Sequence, residues 1–235
     1  MSAMPATPIV EVVSATRLTE DAFWDTSALG QSLARMHHEG RIVTRITCEN
    51  QTGLPELYNR AILSPEASDI LLFVHDDVWL QDHFLVDTLD RGLRQFDVLG
   101  VAGNRRHTAG QVRWFPELTD TQALQCLSGQ LGHGQRPFWG EMGWFGAVPA
   151  ACELLDGVLL AARKATLRAR QVQFDPQFRF HFYDLDFCRR ARQQGLTLGT
   201  WPISITHQSL GDIETDTWRT QAEVYRQKWR PSAAA

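Results

Sequence analysis

The chain carries little that could serve as a covalent or membrane framework. Only four cysteines occur in 235 residues (Cys48, Cys126, Cys152 and Cys188), and no two stand as a C-x-x-C pair. A zinc ribbon or a thioredoxin-like site is therefore not indicated, and most of the thiols read as buried groups in a reducing compartment. No apolar run approaches the roughly 20 residues that a membrane helix needs. The first eight residues have neither the basic start nor the apolar stretch of a signal peptide. The resulting expectation is a cytoplasmic protein with no transmembrane segment and a flexible start over 1–8. Neither sign of charge dominates: 23 Lys and Arg against 27 Asp and Glu leave a net charge of −4. Nucleic-acid binding rests on phosphate neutralisation, so this balance argues against such a partner. No internal repeat is found.

What is present is the composition of an ordinary folded domain, 43% hydrophobic and 21% charged, with eight tryptophans. Residues 8–14 read as a buried β-branched first strand, stopping at Ser-Ala-Thr-Arg. Leu29, Leu33 and Met36 recur at helical spacing, and 41–48 alternates as a second strand. A helix is expected over 54–63. The continuous apolar run Ile70-Leu71-Leu72-Phe73-Val74 then enters His75-Asp76-Asp77. A helix with Leu85, Leu89 and Leu93 on one face and a short strand over 98–103 follow. Strand and helix alternating at this spacing imply an α/β fold with a mainly parallel central sheet covered on both faces. Residues 104–150, rich in Gly, Trp, Gln and Pro, show no period and are expected to be an irregular insertion. Beyond them a strand is expected over 154–161, a helix over 184–194, a strand region over 196–206, an amphipathic segment over 218–229 and a short tail over 231–235.

Three constellations carry chemistry. Asp76 and Asp77 end a fully apolar strand, where adjacent acids are costly unless a cation sits beside them. Ligand crevices of open α/β sheets lie at such strand ends, and two oxygen donors there suit Mg²⁺ or Mn²⁺. The plainer alternative has Asp77 capping a following helix and Asp76 solvated. Asp184 opens a helix within the aromatic run 178–183, which fits either an N-cap or a partly desolvated proton acceptor. Asp186 is expected to pair with Arg189 or Arg190 on the helix surface. His207 follows a strand and precedes a glycine-containing loop, and Asp156-Gly157 reads as a bulge or a close backbone approach.

In order along the chain, these residues resemble the family 2-like glycosyltransferases of the GT-A fold. The motifs are Ser-Ala-Thr-Arg, Glu49-Asn50, Tyr58-Asn59, Phe-Val-His-Asp-Asp-Val, Leu-Asp-Gly-Val-Leu-Leu-Ala-Ala-Arg-Lys, Phe-His-Phe-Tyr-Asp-Leu-Asp-Phe and Thr-His-Gln-Ser. Within that group the chain is most similar to the bacterial subset with His-Asp-Asp and Tyr-Asp-x-Asp motifs.

The resemblance implies a single domain over 9–230: a nucleotide-sugar half (9–103), the 104–150 insertion and an acceptor half (151–230). It implies a hexosyltransferase-like enzyme of polysaccharide biosynthesis. Such an enzyme moves a sugar from a nucleotide-diphospho-sugar, expected to be a UDP-sugar, to a glycan or lipid-linked hydroxyl acceptor with inversion. Asp77 would hold the divalent metal, Mn or Mg, with His207 completing the site. Asp76, Asp156 and Gly157 would lie on the donor side, and Ser14, Thr16, Arg17 and Asn50 near its base and ribose. Asp184 would be the catalytic base. The chain departs from the family pattern twice: His75 stands where many relatives have Asp, and Tyr183 where they have Glu. The alternative readings are a non-catalytic nucleotide-sugar binding module and a metal-dependent phosphohydrolase.

Overall fold

The alternation of side chains along three central strands decides the layering. In a computed structural model, which describes residues 7–66, 68–108, 110–116, 121–209 and 215–230, Ile70–Val74 is buried along its whole length. Its even-numbered residues and its odd-numbered residues enter different clusters. Val10, Val12, Ile70, Leu72, Val74, Leu159 and Ala161 pack with Phe23, Leu29, Leu85 and Leu89. Val13, Leu71, Phe73, Leu160 and Ala162 pack with Leu57, Tyr58, Phe174, Phe187 and Tyr225. A period of two places these sets on opposite faces of a sheet, so helices cover both faces.

The chain begins β1 (Val10–Ala15), α1 (Glu20–Thr26), α2 (Ala28–Arg35), β2 (Ile42–Thr47), α3 (Leu54–Leu63) and β3 (Ile70–Val74). Next come β4 (Val78–Leu80), α4 (Leu85–Gly92), β5 (Val98–Gly100), β6 (Ala102–Asn104), α5 (Thr121–Leu124), β7 (Leu127–Arg136) and β8 (Trp139–Gly146). It closes with β9 (Ala150–Cys152), β10 (Leu154–Leu155), β11 (Leu159–Arg163), α6 (Lys164–Ala169), α7 (Tyr183–Gln193), β12 (Leu198–Thr200), β13 (Ile205–His207) and α8 (Asp216–Lys228). One sheet has the order β2-β1-β3-β11-β5-β12-β9. The second runs β10-β6-β7-β13-β4, with β8 also paired to β7.

The α/β class is as the sequence implies, but the large sheet is mixed rather than mainly parallel. β1 pairs β2 and β3 in parallel, as β12 pairs β5. β11 runs antiparallel to both β3 and β5. It is reached from β10 through the short link 156–158, so no helical crossover imposes the parallel direction. The same link splits the strand expected over 154–161, whose two parts lie in different sheets. The strand expected over 98–103 divides likewise into β5 and β6.

The stretch 104–150 also departs from expectation, because it holds the β7–β8 hairpin. Its glycines hide the strand alternation, and they permit close approach of the two backbones. A Cβ on Gly134 would lie 2.0 Å from the Trp139 carbonyl oxygen, and one on Gly140 would lie 1.9 Å from that of His133.

The Tyr58-Asn59 pair of α3 ties the segment before α7 to the sheet. Asn59 Nδ2 donates to the Phe174 carbonyl at 2.8 Å, and its Oδ1 accepts from the Phe174 amide at 2.9 Å. The side chain thus serves both backbone groups of a buried residue that stacks on Phe187 at 4.1 Å. Asn59→Ala leaves both groups unpaired and is expected to lower stability by roughly 2 kcal/mol, read as a fall in the urea midpoint. A midpoint unchanged from wild type would show that the clamp contributes nothing.

Candidate active site

The site forms where the two sheets meet. β3 ends at Val74, and 75–77 turn the chain into β4, so Asp77 does not cap a helix as the plainer alternative had it, and the expected helix begins only at Leu85. β4 pairs β13 with Val78 opposite His207, and the Gln208 amide donates to the Asp77 carbonyl at 3.0 Å. This pairing sets the His207 Nε2 atom 3.2 Å from Asp77 Oδ1. Ser209 Oγ lies 3.1 Å from the same nitrogen. One ligand atom from each of His75, Asp77 and His207 lies within 4.8 Å of the others.

The chemistry of this trio fits a divalent cation. One carboxylate oxygen and two imidazole nitrogens at this spacing are a donor set that divalent ions accept, and the group beside the buried Asp77 Oδ1 is itself a ligating imidazole, His207. Burial alone would raise the Asp77 pKa. The hydrogen bond and charge of His207, with His75 behind it, outweigh that and hold it down at about 2. Burial lowers the pKa of His75, favouring the neutral imidazole that a metal requires.

Asp184 stands on another wall of the same cavity, which has a volume of about 820 Å³. It is not the N-cap of its helix. That position belongs to Phe182, whose left-handed backbone (φ 67°, ψ −1°) turns the chain sharply into α7. Such a conformation is strained for a bulky residue. Phe182 is held there by stacking on Tyr225 at 5.3 Å and by contact with Trp218 at 5.2 Å. Asp184 Oδ2 accepts the Gly157 amide at 3.0 Å. Burial first, and the nearby Asp156 second, push the Asp184 carboxyl up to about 7 against the pull of backbone amides.

Asp76, Asp77, Asp156, Gly157, Asp184 and His207 all line the cavity. Ser14, Thr16, Arg17 and Asn50 do not, although their neighbour Ala15 does. They gather at the carboxyl end of β1, where the Asn50 amide donates to the Thr16 carbonyl at 2.8 Å. Asp156 Oδ1 accepts the Val158 amide at 2.9 Å. Asp186 corrects the surface pairing expected for it. It is fully buried, with Lys228 Nζ at 2.6 Å and the Trp229 indole N–H at 2.8 Å, because α8 docks over it. His133 also lines the cavity, opposite His207 in the β7–β13 register. No motif in the sequence marks it, since its place follows from strand pairing alone.

No protein-family model matches the chain, and no curated protein sequence matches it. Among solved structures it is similar to the catalytic domain of Drosophila beta1,4-galactosyltransferase 7 in complex with xylobiose. The TM-score is 0.48 at 10% identity, over 92% of this chain and 79% of that one. A likeness at this level assigns no role to any residue. No helix among the described residues is long and apolar enough to cross a membrane.

The raised Asp184 pKa has a thermodynamic consequence. A carboxyl lifted from its ordinary 3.8 to about 7 stabilises the fold fully only below the lower value. That contribution is lost as pH rises through about 7. Asp184→Asn cannot ionise and keeps an acceptor for the Gly157 amide. Its melting temperature relative to wild type is therefore expected to climb between pH 4 and pH 8. A constant difference across that range would mean that Asp184 titrates normally.

Proposed function

We propose that the chain is a metal-dependent glycosyltransferase of the GT-A type, acting from a nucleotide-diphospho-sugar on a hydroxyl acceptor. One observation carries this reading. A single cavity holds a low-pKa carboxylate grouped with two imidazoles on one wall and a carboxyl raised to about 7 on another. Sugar transfer needs both kinds of group. The donor's diphosphate gains charge as it leaves, and the acceptor hydroxyl must lose a proton as it attacks.

Asp77 and His207 would hold the divalent ion, Mn²⁺ or Mg²⁺, which supplies Lewis-acid stabilisation of the departing diphosphate. Asp76, Asp156 and Gly157 would face the donor from the same cavity, and the Ser14, Thr16, Arg17 and Asn50 group would reach its base and ribose. Asp184 takes the proton of the acceptor hydroxyl. The oxygen forms its bond to the anomeric carbon as the bond from that carbon to the diphosphate breaks, which inverts the centre. A pKa near 7 suits this task, because the group is then an effective base in the pH range where it is substantially ionised. The donor is proposed to be a UDP-hexose, and the acceptor a glycan or a lipid-linked glycan.

Two variants separate the donor side from the base. Asp77→Ala is expected to abolish the Mn²⁺-dependent thermal stabilisation given by UDP while the free protein stays folded. An intact UDP response would remove Asp77 from the donor site. Asp184→Asn is expected to keep that response and to lose sugar transfer by about 10²–10⁴-fold. Transfer near the wild-type rate would sink the base assignment.

A further inference from the structure

The two positions where the motifs depart from the family pattern touch each other. His75 Nε2 lies 2.8 Å from the Tyr183 hydroxyl, and that hydroxyl lies 2.8 Å from the Gly157 carbonyl oxygen. A phenol has one proton to give. The Gly157 carbonyl can only accept, so the Tyr183 proton goes to it. The phenol oxygen must then accept from His75, and the shared hydrogen sits on His75 Nε2. In a neutral imidazole this leaves Nδ1 bare, the atom able to take a cation. Tyr183 is buried, and its ring is wedged against Tyr58 and Phe174 at 5.9 and 6.0 Å. The hydroxyl is therefore held in place by packing, and it orients the imidazole as outer partners of metal-bound histidines do.

From this geometry we infer that Tyr183 is a positioning residue. It fixes His75 as the Nε2–H tautomer and so makes His75 the third ligand beside Asp77 and His207. The inference rests on the metal reading of the site given above. It also explains why residue 157 is glycine in contact terms: a Cβ there would lie 2.5 Å from the Tyr183 hydroxyl oxygen. The Gly157 peptide thereby serves both halves of the cavity. Its carbonyl orients the imidazole through Tyr183, and its amide holds Asp184.

The test uses the purified full chain and Mn²⁺ alone, without donor or acceptor, so it does not depend on the sugar-transfer reading. Titration calorimetry is expected to show 10–100-fold weaker Mn²⁺ binding for Tyr183→Phe, which retains the ring and its packing. His75→Ala is expected to weaken binding at least as much. The double variant should be no weaker than His75→Ala, because the hydroxyl acts only through the imidazole. Nitrogen-15 NMR of the wild-type protein reads the tautomer directly, and protonated Nε2 with bare Nδ1 is expected at His75. Any of four results overturns the inference: no Mn²⁺ binding by the wild type, Tyr183→Phe within twofold of wild type, losses that multiply in the double variant, or a proton on His75 Nδ1. If the Mn²⁺ results hold but no nucleotide sugar is turned over, only the transferase reading fails.

Discussion

The site depends on the empty space at Gly157. A methyl group there would lie 2.5 Å from the Tyr183 hydroxyl and 2.8 Å from Asp184 Cβ, so the start of α7 could not close on the link between β10 and β11. With no side chain in the way, the Gly157 amide reaches Asp184 and its carbonyl reaches Tyr183. That link is also where the chain passes from the smaller sheet to the larger one. One peptide unit therefore joins the topology of the fold to the two chemical walls of the cavity. The strained Phe182 that precedes Tyr183 belongs to the same arrangement, since its left-handed turn delivers α7 to that peptide.

The cavity separates two carboxyls by environment and not by residue type. Asp77 is partly desolvated, yet the imidazole 3.2 Å away more than offsets that cost. Asp184 is desolvated beside another acid, Asp156, and only backbone amides oppose the rise. Two aspartates of similar intrinsic acidity end at about 2 and about 7. At neutral pH the first is a fixed negative charge and the second exchanges its proton readily. Such a separation is what the proposed reaction would require of one cavity, which must both stabilise charge and accept a proton.

The features of this design that are local in sequence are legible from the residues themselves. An apolar run ending in two acids points to β3 and sets Asp77 at its end, because five residues between polar flanks suit a buried strand and are too few for a buried helix. Asp184 and His207 are legible as an acid and an imidazole at element ends. What stays hidden depends on pairing between distant segments. The hairpin β7–β8 escapes because its glycines, needed for contacts near 2 Å from any added Cβ, erase the two-residue alternation. The surface pairing expected for Asp186 fails because its partners, Lys228 and Trp229, come from α8, and a rule for neighbours on one helix cannot reach them. The split of 154–161 between two sheets is invisible for the same reason, since both halves are equally apolar.

The tryptophan-bearing stretch within 104–150 has two different faces. Phe145 lines the cavity, with Trp114 edge-on to it at 5.1 Å, whereas Trp139 and Trp144 are exposed. Along β8 the register sets Gly143 opposite Leu131 and Trp144 opposite Gln130, so neighbouring residues of the strand turn to opposite sides. Only one side of the hairpin faces the cavity. Trp114, Phe145, Phe180, Phe182 and Trp218 surround the same space as Asp184. Burial is the first cause of the raised Asp184 pKa. On the proposed reading the aromatic wall would offer apolar surface to a bound sugar beside the carboxyl proposed to take the proton.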